Sequence, residues 1–85
     1  MVTNYPNPFS TTTTVKYRVD EPGNLRIEIL DMSGKVLTTL VNEYREAGVY
    51  EANWSASGLP SGTYFAKAIN SRGHILQVQK LVKTN

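Results

Sequence analysis

Apolar and polar side chains alternate at every second position along most of this chain, which is the pattern of β-strands that bury one face. The clearest example is a hairpin near the carboxyl end, with strands over residues 63–69 and 74–83 and a turn at residues 70–73. Asn70 in this turn can hydrogen-bond to nearby backbone, and Gly73 can adopt the positive φ that such a loop requires. The pattern therefore predicts an antiparallel pair of strands at this end of the chain.

The two strands of this hairpin differ in regularity. In the first strand, alternation predicts a core face of Tyr64, Ala66 and Ala68 and an opposite face of Phe65, Lys67 and Ile69. In the closing strand, Leu76 and Val78 occupy inward positions, but the same alternation would turn Lys80 inward and Leu81 outward. We predict a β-bulge near Gln79 that shifts the register; the alternative is a strand with apolar residues on both faces.

Three further segments alternate in the same way, over residues 15–19, 25–29 and 49–54. Residues 36–41 are predicted to continue as a strand after the loop at residues 31–34, and a short strand near residues 2–5 would make a seventh. Turn signals recur about every 8–12 residues, which favours a β-sandwich over a barrel or a βαβ fold. The predicted inward residues of these strands are Val15, Tyr17, Val19, Leu25, Ile27, Ile29, Tyr50, Ala52 and Trp54.

The connections between strands carry their own signals. Residues 31–34 form a hairpin loop in which Asp31 is predicted to accept local hydrogen bonds rather than bind calcium, because no other carboxylate lies near it. The polar residues 42–48 fit either a short helical turn or a wide loop. After the connection over residues 55–62, Tyr64 is spaced to hydrogen-bond back to the upstream backbone, as in the tyrosine corner of sandwich folds.

Two prolines shape the amino-terminal segment, which reads Tyr5-Pro6-Asn7-Pro8-Phe9. Prolines at this spacing exclude a helix and favour an extended, partly polyproline-like path. Tyr5 and Phe9 are predicted to clamp the segment onto the end of the sandwich. A ligand-binding pair of aromatic rings is the alternative.

Size, charge and composition narrow the class of protein. With 85 residues, the chain is long enough for one domain with a modest core, and without cysteine it has neither disulfides nor thiolate chemistry. Its nine basic and seven acidic residues give a net charge of +2 and are scattered singly, so no nucleic-acid partner is predicted. No apolar run approaches the roughly 18 residues of a membrane-spanning helix, so no direct membrane insertion is predicted.

Candidate chemistry is sparse. His74 is the only histidine, and it is predicted to lie exposed at a turn, whereas nucleophilic catalysis needs a base beside its nucleophile. The carboxylates lack the spacing of a metal-binding loop, and the glycines do not form a phosphate loop. Spacing alone leaves a glycosidase pair of carboxylates open, but nothing in the sequence favours one. The residues predict a small β domain with no catalytic residues, no metal site and no cofactor, and they do not reveal an activity.

Short motifs in a fixed order span almost the entire chain. They are Tyr5-Pro6-Asn7-Pro8-Phe9 and residues 14–17, 30–36, 54–58, 61–64 and 80–83. In their order and spacing, these motifs resemble the type A C-terminal sorting domain of the type IX secretion system.

The resemblance implies an all-β, immunoglobulin-like antiparallel sandwich of about seven strands at the C-terminus of a secreted protein of Bacteroidetes-type bacteria. Residues 1–85 would form a single sorting domain, with an extended amino-terminal segment over residues 1–9 and the sandwich over residues 10–83. Such a domain is a non-catalytic signal that directs its cargo from the periplasm through the outer-membrane translocon to the cell surface or the extracellular medium. A sortase-like protease would then remove it by cleavage near or before Asn4, and could attach the cargo to lipopolysaccharide.

The resemblance also implies roles for particular residues. It assigns recognition by the translocon to Gly62, Tyr64, Gly73, Lys80, Leu81, Val82 and Lys83, and structural roles to Tyr5, Pro6, Asn7, Pro8, Phe9, Gly34 and Trp54. The terminal strand could pair its backbone with an edge of the receptor while its lysines set the register. Alternatively, Lys80 and Lys83 only protect a sheet edge from aggregation.

Two other functions are compatible with the same pattern. One is an immunoglobulin-like spacer module of an extracellular protein or of a flagellar hook-capping-type protein. The other is a carbohydrate-binding module, which would need Tyr5, Phe9 and Trp54 exposed on one surface. We predict that Trp54 is instead a buried anchor of the core.

Overall fold

A computed structural model describes residues 2–84, and over this range the chain forms seven β-strands without a helix. Every pairing between these strands is antiparallel. The strands are β1 Val2–Tyr5, β2 Thr12–Val19, β3 Gly23–Leu30, β4 Val36–Arg45, β5 Gly48–Ser55, β6 Gly62–Asn70 and β7 Ile75–Lys83.

The strands are divided between two sheets. One sheet has the order β1-β2-β5 and the other has the order β4-β3-β6-β7. The chain changes sheet after β2, after β4 and again after β5, which is the interleaved arrangement of an immunoglobulin-like sandwich. The predicted fold class is confirmed, and the predicted short strand at residues 2–5 is present as β1.

The core lies between the two sheets and is filled by the alternating positions that the sequence indicated. Val15, Ile27 and Ile29 have no exposed surface, and Trp54 is 5% exposed. Val19, Tyr50 and Ala52 are partly buried and pack against this core. Because one face of each strand contacts the opposite sheet, residues two apart share the same burial.

Residues 42–48 form neither of the structures predicted for them. Strand β4 continues to Arg45, and β5 begins at Gly48, so that only a tight turn separates the two strands. The reason is that β3 pairs with β4 over its full length, from Leu30 opposite Val36 to Gly23 opposite Arg45. This ladder provides hydrogen-bond partners for the backbone groups of residues 42–45, although their side chains are polar.

The loop between β3 and β4 confirms the local role predicted for Asp31. One oxygen of its carboxylate accepts hydrogen bonds from the Ser33 amide at 2.9 Å, the Ser33 hydroxyl at 2.6 Å and the Lys35 amide at 3.1 Å. The bond from the Ser33 hydroxyl is the largest of several effects that hold the pKa of Asp31 below its ordinary value. Gly34 follows with a φ of 88°, which a residue with a side chain rarely adopts.

Strand β7 has a different register from the predicted one. Leu76 and Val78 are 58% and 50% exposed, whereas Leu81 is fully buried. The pairing of β7 with β6 is regular from residue 77 onwards, and its irregularity lies between Ala68 and Ile69, opposite the start of β7. The predicted bulge near Gln79 is therefore wrong, since the extra residue is Leu76 at the other end of the strand.

Candidate functional site

The candidate site is the carboxyl-terminal strand β7 together with the amino-terminal segment that lies along it. β7 is the last strand of the four-stranded sheet, with β6 on one side. Its other side is contacted over residues 80–84 by residues 7–9, which we call the N-terminal clamp. The two ends of the chain thus meet at one edge of the sandwich.

The side chain of Asn7 pairs with β7 as the backbone of a neighbouring strand would. Its amide nitrogen donates to the Lys80 carbonyl at 3.3 Å, and its amide oxygen accepts from the Val82 amide at 2.9 Å. The side-chain amide of asparagine has the same donor and acceptor pair as a peptide group. One residue therefore satisfies two groups on the open edge of β7.

Phe9 continues this pairing with its own backbone. Its amide donates to the Val82 carbonyl at 2.9 Å, and its carbonyl accepts from the Thr84 amide at 2.7 Å, which makes a parallel bridge to Lys83. The predicted polyproline-like path is wrong here, because the chain bends at residues 6–8 between β1 and this bridge. The bend lets a short segment reach both β7 and the core.

Aromatic rings anchor the clamp inside the sandwich. Phe9 is 2% exposed, and its ring meets Trp54 edge-on with the centroids 5.7 Å apart. Trp54 in turn meets Tyr64 edge-on at 5.6 Å. The clamp is therefore held by the core as well as by the edge of β7. The predicted role of Phe9 in fastening this segment to the sandwich is confirmed.

Tyr5 does not share this role. It is 49% exposed, and its hydroxyl donates to the Glu51 carboxylate at 2.5 Å, a bond that raises the pKa of Tyr5. The predicted clamping role of Tyr5 is wrong, because its position on β1 points it away from the core. A carbohydrate site made of Tyr5, Phe9 and Trp54 is also excluded, since two of the three rings are buried.

Two inward-facing glutamines on β7, which sequence reasoning missed, join the two sheets at this edge. The Gln77 side chain donates to the Val2 carbonyl at 2.7 Å and accepts from the Val2 amide at 2.6 Å. The Gln79 side chain donates to the Asn4 side-chain oxygen at 3.0 Å. Gln77, Gln79 and Leu81 do occupy every second position. Because two of these three inward residues are polar, a search for alternating apolar residues does not find this face.

The residues predicted for recognition fall into two groups. Tyr64 and Leu81 are buried in the core, whereas Gly62, Gly73 and Lys80 are exposed and Val82 and Lys83 are partly buried. A buried side chain cannot contact a partner while the domain is folded. Tyr64 and Leu81 are therefore placed to hold the terminal hairpin in shape.

The hydroxyl of Tyr64 makes the predicted tyrosine corner, donating to the Pro60 carbonyl at 2.5 Å. We expect Tyr64→Phe to lower the free energy of unfolding by about 1 kcal/mol, because the Pro60 carbonyl loses its partner. Urea denaturation followed by circular dichroism measures this loss. Tyr44→Phe is the matched control, since Tyr44 is 53% exposed and the change should cost less than about 0.5 kcal/mol. Equal stability of Tyr64→Phe and the unmodified domain would contradict a stabilising corner.

Within residues 2–84, no three His, Cys, Asp or Glu side chains are grouped so that they could hold a metal ion. His74 is exposed beside the turn between β6 and β7, as predicted. In the same range, no helix is long and apolar enough to cross a membrane.

Comparison with known proteins identifies the family. The model of the family described as the secretion system C-terminal sorting domain matches residues 3–84. No curated protein matches the chain significantly. Members of this family are non-catalytic targeting modules at the end of cargo proteins that the type IX secretion system exports to the cell surface or the extracellular space. The match and the immunoglobulin-like sandwich show that this chain belongs to the C-terminal sorting domains of the type IX secretion system.

Proposed function

We propose that this domain directs a folded cargo protein from the periplasm through the outer-membrane translocon, and that the translocon recognises the terminal hairpin of β6 and β7. The observation that carries the proposal is the N-terminal clamp on β7. The last residues of a domain are usually poorly ordered unless other groups hold them. Here Asn7 and Phe9 hold residues 80–84, about 75 positions away in the chain. The clamp thus presents the terminal strand in one defined conformation.

In this proposal, the predicted recognition residues have different roles. Lys80, Val82 and Lys83 present side chains on the hairpin. Gly73 shapes its turn, and Gly62 begins β6 at the open end of the hairpin. Tyr64 and Leu81 maintain the strands from inside the core. Spacer modules, the main alternative, need no such defined end, because they only separate the domains on either side of them.

Recognition by backbone pairing is restricted by the clamp. The Lys80 carbonyl, both backbone groups of Val82 and the Thr84 amide already have partners in the clamp. A receptor strand could pair with this part of β7 only after displacing Asn7 and Phe9. We therefore assign recognition of the folded domain to side chains of the hairpin.

We assign cleavage by the sortase-like protease to the linker ahead of β1. Asn4 lies within β1, is 8% exposed, and donates its side-chain amide to the Thr13 hydroxyl at 3.2 Å. A protease needs an accessible, unpaired stretch of chain, which residues paired with β2 do not offer. Cleavage before Val2 would leave the sandwich intact after its removal from the cargo.

A secretion assay in a type IX-competent bacterium tests the proposed function. The domain is fused behind a fluorescent reporter that carries a signal peptide, and a second fusion ends before Lys80. We expect the intact fusion at the cell surface or in the medium and the shortened one in the periplasm.

Folding must be separated from recognition in this assay, because the shortened fusion also loses the buried Leu81. A Lys80→Ala, Lys83→Ala variant keeps the core and is assayed in parallel, with circular dichroism of the purified domain as the folding check. Retention of the intact, folded fusion in the periplasm would contradict the sorting role. Normal export of the lysine variant would mean that Lys80 and Lys83 are not needed for recognition and only protect the sheet edge from aggregation.

A further inference from the structure

The outer face of the four-stranded sheet carries a second group of apolar side chains, separate from the core. Strand register places Leu30 beside Phe65 and Ile69 beside Ile75 on this face. Val78 and Val82 follow on β7, opposite Lys67 and Thr63. We call the following residues the outer-face patch: Leu30, Phe65, Ile69, Ile75, Val78 and Val82.

Burial shows that this patch is a cluster in its own right. Leu30 and Ile69 are only 8% and 6% exposed, yet neither belongs to the cluster between the sheets. Strand register sets each of them beside another apolar residue of the outer face, Phe65 and Ile75 respectively. The solvent-facing side of an antiparallel sheet is ordinarily polar, whereas here Ile75 and Val78 stand 58% and 50% exposed. Contiguous apolar groups on a solvent-facing surface are typical of interaction sites.

Lysines give the outer-face patch a positive charge. Lys67 lies opposite Val78, and Lys80 lies opposite Phe65. The third basic group of this face, Arg26, is paired with Glu28 at 3.0 Å. None of the ion pairs found in residues 2–84 includes Lys67 or Lys80. A complementary surface is therefore apolar and bordered by carboxylates.

The charge count favours a protein over a lipid surface as the partner. Recognition of anionic membranes generally uses clusters of about four to eight basic residues. The patch has two lysines that are not in ion pairs, set among side chains on a sheet. Single lysines beside apolar anchors instead match the composition of a protein interface, with apolar centres and charged margins.

We propose that the outer-face patch docks the domain onto an apolar, carboxylate-bordered surface of a protein in the secretion machinery. This inference rests on the proposed sorting function and specifies which surface of the terminal hairpin is used. The clamp covers the edge of β7 over residues 80–84, so along this part of the strand the face of the hairpin is what remains open to a partner. Exposed aliphatic side chains supply the contact area, and Lys67 and Lys80 supply the charge complementarity.

A matched pair of double variants tests this surface. Val78→Thr with Lys80→Gln changes one exposed valine and one exposed lysine on the patch. Val49→Thr with Lys16→Gln makes the same two changes on the other sheet, where Val49 is 59% exposed and Lys16 is exposed. All four positions face solvent, so circular dichroism should show both variants folded as stably as the unmodified domain.

Export of the reporter fusion is the first measurement. We expect the patch variant to lower the exported fraction about tenfold, as for loss of a central contact of an interface, and the control variant to match the unmodified domain. If the unmodified fusion is not exported, the sorting function itself fails. If it is exported and the patch variant is exported equally, only the docking surface is wrong.

Competition then tests docking directly. The domain without a reporter, produced in the periplasm of the same cells, should reduce export of the unmodified fusion, and the patch variant should compete much less than the control variant. Co-sedimentation with phosphatidylglycerol-containing vesicles tests a lipid partner. Vesicle binding that the patch variant loses would overturn the proposal in favour of a membrane, whereas absence of such binding supports a protein surface.

Discussion

Replacing Phe9 by alanine is expected to lower the free energy of unfolding by about 3–5 kcal/mol, the usual cost of removing a buried phenylalanine ring. The ring is 2% exposed and packs edge-on against Trp54. A domain of this size is expected to have about 5–15 kcal/mol of stability in total. The change would therefore remove a large share of it, although Phe9 lies outside the named strands.

Urea denaturation followed by circular dichroism measures the effect of Phe9→Ala. Amide hydrogen exchange adds a local measurement, because release of the clamp should speed exchange at Val82 and Thr84, whose amides bond to Asn7 and Phe9. Tyr5→Ala is the control in the same segment, since Tyr5 is 49% exposed and should cost less than about 1 kcal/mol. A loss of under 1 kcal/mol for Phe9→Ala would mean that its ring is not part of the core.

Leu81→Ala is expected to cost about 2–5 kcal/mol, because Leu81 has no exposed surface and its truncation leaves a cavity. Leu76→Ala is the matched control. It makes the same chemical change on the same strand, but Leu76 is 58% exposed, and the expected cost is below about 1 kcal/mol. The alternation of apolar residues alone predicts the reverse order, with Leu76 inward and Leu81 outward.

Thermal or urea unfolding of the two variants therefore decides the register of β7. A larger loss for Leu76→Ala than for Leu81→Ala would place the irregularity of the strand near Gln79, contrary to the structure. Equal losses would mean that both faces of β7 are buried, for example by association of two copies. Analytical ultracentrifugation of the unmodified domain distinguishes this last case.

Variants at Phe9 and Leu81 test the stability of the domain and do not test its recognition by a partner. Phe9 and Leu81 both belong to motifs shared with sorting domains, and both are buried. Their substitution would impair export by unfolding the signal, and such a result says nothing about the proposed contact with the translocon. Recognition is better tested at exposed positions such as Val78 and Lys80, where stability is expected to be unaffected.

Sequence alone determined the family, the sandwich and the inward residues of most strands. In β2 and β3, for example, Val15, Tyr17, Ile27 and Ile29 are buried as their spacing predicts. Each of these strands has one face against the core, and the alternation of side chains along a strand is a local property of the backbone. Asp31 was equally predictable, since its hydrogen bonds reach only to Ser33 and Lys35.

Only the tertiary structure decided the register of β7, the length of β4 and the pairing of Asn7 and Phe9 with β7. Gln77 and Gln79 face inward because β1 offers partners for their amides, and those partners lie 75 positions away in the chain. Residues 42–45 are a strand because β3 completes their ladder. In each case the deciding hydrogen bond comes from a distant segment, and a local pattern of apolar and polar residues does not report which distant backbone will be adjacent.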